Sequence, residues 1–422
     1  MHVVIIGNGI TGVTAAREVR KRQPDWRITM ISGESELHWS RPALMYVYMG
    51  HMRLQDTQPY APHFWTKNRI DLMRAWVTGV DVDNRTVQLG DGSSLRYDRL
   101  LLATGSQPNR FGWPGQDLAR VQGMYSLQDL ELLEQNSVGL RSAVIVGGGL
   151  IGIELAEMLH SRGVHVTFLV REETYWSNVL PAEESAIIND LIRSEGIDLR
   201  LNTELTEIVG NEHGEACAVV TSAGDRVECQ LVGLTAGVRP NLSAIRGSAI
   251  ETGRGILVDD TLATSAPDVW AAGDCAEIRR PDRNLVQQVW YTGRLQAEAV
   301  AASMCGESTA YDPGIWFNSA KFFDLEWQTY GMVPGTPAPG QRSLYWESPD
   351  RRRCVRVVAD ADGRLHSMHA FGIRYRHRVC EGWIRERLPV SEVLDRLPEA
   401  NFDPEFYRRH ERTIAAALRS QL

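Results

Sequence analysis

The sequence predicts an α/β protein with two Rossmann-like nucleotide-binding domains and a C-terminal α+β domain. The first observation is length, because 422 residues exceed the roughly 250–300 residues at which a single hydrophobic core stops growing. The second is an internal repeat of an apolar strand, a glycine-rich turn, a helix and another strand. The third is a C-terminal stretch in which polar and apolar residues alternate, which predicts an antiparallel sheet.

Composition narrows the class of protein. Hydrophobic residues make up 43% of the chain and charged residues 23%, close to soluble globular averages, which excludes disordered, collagen-like and coiled-coil chains. The net charge of −8 argues against a nucleic-acid partner, which would need a clustered basic surface. The first apolar run, residues 3–6, predicts a buried strand, and no run approaches 18 residues. We therefore expect a soluble, cytoplasmic protein with no nucleic-acid partner.

Cysteine and histidine patterns predict no metal centre. The six cysteines form no CxxC or CxxxxC pair, so we expect free thiols and no cysteine-held metal or iron–sulfur cluster. His366, His369 and His377 lie closer together, but residues three apart in a strand face opposite sides. We expect these histidines to belong to the surface and the core.

Two glycine-rich turns, GNGITG at residues 7–12 and GGGLIG at residues 147–152, each follow an apolar strand and open a helix. This context indicates a dinucleotide-binding fingerprint. Its first glycine allows a tight turn, its second lets the backbone approach a pyrophosphate, and its third lets the helix pack closely on the strand. The helix N-terminus then holds the anion. The candidate binding residues of the two turns are Gly7, Gly9, Ile10, Thr11, Gly12, Gly147, Gly149, Ile151 and Gly152.

Such a fingerprint also needs an acidic residue about 20 positions further on, to bind the ribose. Both repeats place their nearest glutamate two residues late, and we expect Glu34 in the first and Glu172 in the second to take this role. Arg171 could accept a 2′-phosphate, whereas Glu172 and Glu173 would repel it. The sequence leaves the choice between NADH and NADPH open.

Three further segments end a strand at a glycine, where the backbone can pass close to a ligand. They contain Ala103-Thr104-Gly105, Thr235-Ala236-Gly237 and Gly273-Asp274. Each segment alone is a weak signal. Their order along the chain, together with the two fingerprints, is a much more specific signal.

The order GNGITG, ATG, GGGLIG, TAGVRPN and AAGD resembles that of the FAD-dependent pyridine-nucleotide oxidoreductases over about residues 1–330. The resemblance implies FAD at the first fingerprint, with Gly273 and Asp274 near its ribityl and pyrophosphate, and NAD(P)H at the second. It also implies a discontinuous FAD-binding domain over residues 1–115 and 247–310. An NAD(P)H-binding domain over residues 116–246 and an interface domain over residues 311–422 complete the expected organisation.

The segment after the second strand distinguishes branches of this family. Disulfide reductases and single-cysteine peroxidases place cysteine there, but SGESELHWSRPALMYVYMG contains none, which argues against a dithiol mechanism. Ser40-Arg41-Pro42 instead resembles a segment of oxygenase-coupled ferredoxin reductases, nitrite reductase flavin domains and apoptosis-inducing factor. That resemblance implies that Arg41, followed by Pro42, contacts the FAD phosphates. Met45 and Tyr46 depart from it, since that branch has serine and lysine there.

Further residues take roles by the same resemblance. Glu154 matches a carboxylate beside the nicotinamide, although a glutamate near a helix N-terminus also has a purely structural explanation. Gln288 and Trp290 precede or open a helix whose N-terminus would face the flavin. Trp316 and Phe317 match a segment whose aromatic residue covers the flavin. Lys321 is a candidate replacement for the missing lysine, and an ordinary surface lysine is the simpler explanation.

The C-terminal region predicts a meander with a turn at Asp362-Gly363 and helices near residues 376–387 and 389–397. The last segment could form an amphipathic helix with Phe406, Ile414, Ala417 and Leu418 on one side. Packing of this helix on its own domain is favoured over membrane contact.

Together these features predict an NAD(P)H-dependent flavoprotein that moves a hydride from nicotinamide to flavin without a redox-active disulfide. The electrons would then pass to a small redox protein or a quinone-like acceptor. One alternative is a type II NADH:quinone oxidoreductase. Another is a redox-dependent interaction protein similar to apoptosis-inducing factor. A homodimer is one possible assembly.

Overall fold

The computed structural model describes residues 1–307, 309–403, 405 and 408–422. The chain divides into a first unit, residues 1–140 with 233–313, and a second unit, residues 141–232 with 314–422. The three-domain division with boundaries near residues 115, 246 and 310 stays a prediction.

The helices and strands follow in chain order. Residues 1–140 contain β1 His2–Ile6, α1 Ile10–Arg22, β2 Arg27–Ser32, α2 Leu44–Tyr48, α3 His63–Lys67, β3 Ile70–Arg74, β4 Val77–Asp81, β5 Thr86–Leu89, β6 Ser94–Arg96, β7 Arg99–Leu102, β8 Ser106–Pro108, β9 Val121–Gln122 and α4 Leu127–Asn136. Residues 141–232 contain β10 Ser142–Val146, α5 Leu150–Ser161, β11 His165–Leu169, α6 Ala182–Ser194, β12 Asp198–Arg200, β13 Leu205–Gly210, β14 Ala216–Thr221 and β15 Arg226–Glu228. Strand β16, Val232–Leu234, leads back to the first unit, which continues with β17 Val238–Pro240, β18 Ile256–Val258, β19 Val269–Ala271, β20 Ala276–Ile278 and α7 Trp290–Met304. Residues 314–422 contain β21 Phe317–Phe322, β22 Leu325–Tyr330, β23 Arg342–Glu347, β24 Cys354–Ala359, β25 Leu365–Phe371, α8 His377–Arg385, α9 Val390–Arg396 and α10 Glu411–Arg419.

A parallel sheet in the order β19-β7-β1-β2-β3 forms the centre of the first unit. Residues 3–6 of β1 are buried because other strands flank this strand on both sides and helices pack on the sheet. The strands are parallel, so their carboxyl ends lie at one edge, where ligands bind in folds of this kind. This confirms the predicted α/β fold.

The second unit contains a parallel sheet β12-β11-β10, an antiparallel sheet β13-β14-β15 and a larger antiparallel sheet β21-β22-β25-β24-β23. The larger sheet confirms the predicted meander, and Gly363 takes a positive φ of 74° in the turn between β24 and β25. Helices α8 and α9 lie where two helices were predicted.

Helix α10 packs on the core of its own unit, because Ile414, Ala415 and Leu418 are buried there. This confirms the preferred interpretation of the last segment. Phe406, which was assigned to the same apolar side, lies outside the described residues. Within the described ranges, no helix is long and apolar enough to cross a bilayer.

A buried ion cluster joins α6 to the larger sheet of the second unit. The fully buried Glu184 accepts hydrogen bonds from Arg356 Nε at 2.7 Å and from Arg356 Nη2 at 2.8 Å. His369 Nε2 lies 2.6 Å from the same carboxylate. Burial opposes ionisation of Glu184, but His369 and Arg356 outweigh it and lower its pKa to about 2. His369 therefore contributes to the structural core, as expected from the histidine pattern.

We predict that Glu184→Gln lowers the free energy of unfolding by about 3–5 kcal/mol, because Arg356 keeps its charge without its buried partner. Glu183 contacts the same guanidinium at 2.9 Å but is half-exposed, so Glu183→Gln should cost only about 0–1 kcal/mol. Since the pKa of Glu184 is lowered, its stabilisation is complete above pH 4.5 and is lost as pH falls toward 2. Urea denaturation from pH 7 down to pH 3 measures both effects, and equal losses in the two variants would contradict the prediction.

Candidate functional site

Four loops of the first unit meet at the carboxyl edge of its parallel sheet. They follow β1, β2, β7 and β19, which are adjacent in the sheet and run in the same direction. All four loops carry candidate residues from separate parts of the sequence: the first glycine turn, the segment with Glu34 and Arg41, the ATG segment and Gly273-Asp274. Parallel pairing brings them to one edge, which makes this edge the candidate functional site.

The first glycine turn leaves room for a ligand only at its second glycine. A Cβ at Gly7, whose φ is +112°, would stand 2.1 Å from the Ala103 carbonyl oxygen, and a Cβ at Gly12 would stand 1.9 Å from the Gly7 carbonyl oxygen. A Cβ at Gly9, in contrast, would meet no atom within 4 Å. The turn is thus closed toward the protein and open at Gly9, as close approach of a phosphate requires.

Helix α1 begins at Ile10 directly after this opening. No side chain caps its N-terminus and no acidic residue lies in its first turn, while Arg20, Lys21 and Arg22 lie in its last turn. Uncapped N–H groups and the positive end of the helix dipole suit an anion. The turn therefore fits a dinucleotide pyrophosphate.

The loop after β2 brings Glu34 and Arg41 together as an ion pair. Arg41 donates to both carboxylate oxygens of Glu34, at 2.9 and 2.6 Å, and Leu127 N–H donates to Glu34 at 2.9 Å. The guanidinium of Arg41 also lies between two aromatic rings, 4.8 Å from Trp39 and 4.5 Å from Tyr125. The proposed ribose and phosphate contacts are thus neighbours, and their ligand roles stay predictions.

The residues after Arg41 include the two positions, Met45 and Tyr46, that depart from the ferredoxin reductase branch. Pro42 is exposed in the 3-10 turn Arg41–Ala43, and Met45 is buried on α2. Tyr46, at the position of the missing lysine, lies with its ring 6.1 Å from that of His51. The residue at the position of the lysine is therefore uncharged.

A polar chain links the ends of β7 and β19. Gln288 Nε2 donates to Ser106 Oγ at 2.7 Å, and Ser106 Oγ donates to Asp274 Oδ2 at 3.0 Å. Burial raises the pKa of Asp274, although Ser106 and Arg41 favour its ionised form. These two hydrogen bonds hold Asp274 at the carboxyl edge of the sheet.

The other predicted residues of the first unit lie around the same edge. Thr104 Oγ1 donates to the Asn241 carbonyl at 2.6 Å, and Gly105, which has a positive φ of 69°, accepts from Asn241 N–H at 2.9 Å. Gly237 accepts a hydrogen bond from Asn109 N–H at 3.0 Å. Trp290 opens α7 with 37% of its surface exposed.

Trp76 belongs to this edge but was missed from the sequence. Its indole lies directly on Gly33, where an added Cβ would stand 2.2 Å from a ring atom. Ala75 N–H donates to the Ser32 carbonyl at 3.1 Å, which places Trp76 just beyond the ends of β2 and β3. The side chain is nevertheless 64% exposed. A large exposed aromatic face next to Glu34 is suited to stack on a planar ring such as adenine.

The second glycine turn, in the second unit, has the same construction. Gly147 takes a φ of +119°, a Cβ at Gly149 would meet no atom within 4 Å, and α5 begins at Leu150 without a side-chain cap. Gly152 N–H donates to the Gly149 carbonyl at 3.1 Å, and Ile151 is half-buried beside it. This turn also fits a pyrophosphate.

Glu154 is the fifth residue of α5, just past its first turn, and its carboxyl group is an unusually weak acid. Burial, with a smaller contribution from Glu157, raises its pKa to about 7. The buried Tyr175 lies close enough to feel this charge, and its hydroxyl donates to the Gly149 carbonyl at 3.0 Å. The charge of Lys321 acts on Glu157, one turn further along α5. A role of Lys321 at Glu154 stays a prediction.

In the loop after β11, the two candidate residues for the choice between NADH and NADPH form an ion pair with each other. Arg171 Nε donates to Glu172 at 2.8 Å, and the arginine side chain is 73% exposed. The positive charge that could bind a 2′-phosphate is thus partly neutralised by its neighbour.

Trp316 and Phe317 lie at the start of the larger sheet of the second unit. Trp316 is half-buried, and its carbonyl accepts from Gly331 N–H at 2.7 Å. The ring of Phe317 lies 4.1 Å from that of His377 and 5.5 Å from that of Tyr330. Their proposed contact with flavin stays a prediction.

All six cysteines are free of disulfides. Burial raises the pKa of five of them, which disfavours the thiolate: Cys229 to about 12, and Cys275, Cys305, Cys354 and Cys380 in the same direction. In the described part of the chain, no group of histidine, cysteine and acidic residues has the arrangement of a metal site.

Sequence reasoning missed the supports of the site. Ser106, Tyr125 and Trp76 act through partners that are distant in sequence, and no local pattern marks Tyr125 or Trp76. Ser106 alone had a signal, because it directly follows the ATG segment.

Comparison with known proteins agrees with this geometry. Residues 1–302 match the family model described as pyridine nucleotide-disulphide oxidoreductase. The rubredoxin-NAD(+) reductase of Ectopseudomonas oleovorans is 30% identical over 73% of this chain and 81% of its own length. The ferredoxin reductase component of chlorobenzene dioxygenase from a Cupriavidus species is 31% identical over 85% of this chain and 89% of its own length.

Solved structures show the same fold over the whole chain. The ferredoxin reductase from Rhodopseudomonas palustris superimposes with a TM-score of 0.81 at 24% identity, covering 99% of both chains. Putidaredoxin reductase in its covalent complex with putidaredoxin gives 0.83 at 24% identity, again covering 99% of both chains.

We predict that Trp76→Ala weakens FAD binding by about 1–3 kcal/mol, or roughly 5- to 150-fold, because a stacking surface for adenine is lost. Trp26→Ala is the control, since Trp26 directly precedes β2 and so lies at the opposite edge of the sheet. Titration of the apoprotein with FAD, followed by flavin fluorescence, gives both dissociation constants. The same constant for Trp76→Ala and the parent protein would contradict the prediction.

Proposed function

Because this chain belongs to the pyridine nucleotide-disulphide oxidoreductase family, we propose that it passes electrons from NAD(P)H through FAD to a small redox protein. It is an NAD(P)H-dependent flavoprotein oxidoreductase with FAD and NAD(P)H as its cofactors. Two relatives are a rubredoxin reductase and a ferredoxin reductase component, which supports a protein acceptor here. The observation that carries the proposal is the pair of glycine turns, each open at its second glycine and followed by an uncapped helix.

We propose that the first turn, Glu34, Arg41 and Asp274 hold FAD within residues 1–115 and 247–310, and that the second turn holds NAD(P)H within residues 116–246. When bound, FAD accepts a hydride from the nicotinamide and releases its electrons singly or in pairs. The protein positions these groups and excludes water, which is the main catalytic contribution to hydride transfer. Residues 311–422 form the proposed interface domain.

The loop between β2 and α2 supports direct transfer from the flavin. Residues 33–43 contain no cysteine, so this loop offers no thiolate to relay electrons. The acceptor must therefore approach the flavin itself. A quinone at a membrane has less support, since the apolar residues of α10 are buried in their own unit.

Anaerobic reduction tests the proposed function. The purified protein should carry flavin absorbance, and NADH or NADPH should bleach it. Added rubredoxin or a [2Fe–2S] ferredoxin should restore the absorbance faster than a soluble quinone does. Purification without flavin, or faster reoxidation by the quinone, would overturn the proposal.

We predict that the rate of flavin reduction changes with a midpoint near pH 7, because Glu154 has a pKa of about 7. Glu154→Gln should abolish this step in the pH profile. Glu157→Gln should move the midpoint to lower pH, since it removes a negative charge that raises the pKa of Glu154. Stopped-flow measurements from pH 5.5 to 8.5 test this, and an unchanged midpoint in both variants would assign the titration to another group.

We also predict that Glu172→Gln raises the ratio of kcat/KM for NADPH over NADH by about tenfold, because Arg171 is released for the 2′-phosphate and a repelling charge is removed. Glu173→Gln, the neighbouring charge change, should have a smaller effect, since no ion pair joins Glu173 to Arg171 among the described residues. Initial rates with both nucleotides give the ratio. A larger effect of Glu173→Gln would reverse the assignment.

A further inference from the structure

A cleft of about 400 Å³ opens in the first unit, outside the residues assigned to either nucleotide. Three of its lining residues are arginines, namely Arg239, Arg246 and Arg254, and all three are exposed. None of its lining residues is acidic. This concentration of positive charge stands out in a chain whose net charge is −8.

The three arginines lack the usual partners. Among the described residues, no hydrogen bond or ion pair reaches any of their guanidinium groups. The nearby Glu251 does not compensate them, because its carboxylate pairs with Arg279. Three like charges around one small cleft repel each other, and an anion in the cleft would relieve this repulsion.

The cleft also supplies neutral donors and an apolar wall. Ser248 and Thr252, which carry hydroxyl groups, line the cleft together with Leu242, Ile245 and Ile250. Guanidinium groups bind phosphate oxygens in pairs, and hydroxyl groups can fill remaining acceptor positions. Apolar side chains suit the organic part of a ligand.

From this arrangement we infer that the cleft binds a small phosphorylated organic anion that carries at least two phosphate charges. The ligand's phosphate oxygens contact Arg239, Arg246 and Arg254, and its organic part lies against Leu242 and Ile250. Phosphate is favoured over carboxylate because three forked donors and two hydroxyl groups exceed what one planar carboxylate can accept.

The cleft is separate from the candidate flavin contacts. Gln107 lines the cleft, whereas the neighbouring Ser106 bonds to Asp274 and Gln288. Successive residues of a strand face opposite sides, so strand β8 separates the two sites. Binding of a ligand in the cleft therefore does not require a particular electron acceptor at the flavin.

Isothermal titration of the FAD-loaded protein with inorganic pyrophosphate tests the site. Saturating NAD⁺ and NADP⁺ are present, so that the second glycine turn is occupied. We expect a dissociation constant below about 1 mM and a tenfold or greater loss of affinity in Arg246→Gln/Arg254→Gln. Raising NaCl from 50 to 500 mM should also weaken binding, because exposed charges are screened.

Arg226→Gln is the charge-matched control, since Arg226 is an exposed arginine on β15 of the second unit. It should bind pyrophosphate like the parent protein. Arg239→Gln alone tests the site if the double variant fails to fold. Absence of binding by the parent protein, equal loss in Arg226→Gln, or equally tight binding of citrate would overturn the inference.

Discussion

The close approach of two backbone segments is the constraint on which the first unit depends. The turn after β1 passes so near the end of β7 that a side chain at Gly7 would overlap the Ala103 carbonyl. This contact brings the glycine turn and the ATG segment to one sheet edge, and the pairing of β19 with β7 adds Gly273-Asp274. These three candidate FAD segments meet because parallel strands end on the same side.

The glycine turn of the second unit has the same backbone geometry but different side chains around it. Its glycine turn is also open at the second glycine and also opens an uncapped helix. The first turn is accompanied by an ion pair between Glu34 and Arg41, whereas the second is accompanied by a carboxyl group, Glu154, that burial makes a weak acid. The repeated backbone geometry thus suits similar phosphates, while the side chains near each turn differ.

Local patterns predicted the parts of this protein that depend on backbone geometry. Glycine spacing located both turns, because a tight bend and a close phosphate each exclude a Cβ. Apolar runs located the buried strands, and the lack of cysteine in the loop after β2 argued against a dithiol mechanism there. Side-chain partnerships were not predictable in this way. Arg356 and Glu184 are 172 residues apart, and Gln288 and Ser106 are 182 residues apart, so no window of sequence contains both members.

The sequence by itself determined the α/β class, the two glycine turns and the family to which the chain belongs. These features are local, and each needs particular residues at fixed spacing. Only the tertiary structure decided that Trp76 lies on Gly33, that Arg41 holds Glu34, and that three arginines share one cleft. The physical reason is that such contacts arise from the packing of distant segments, and burial and charge then act through space on whichever groups that packing brings together.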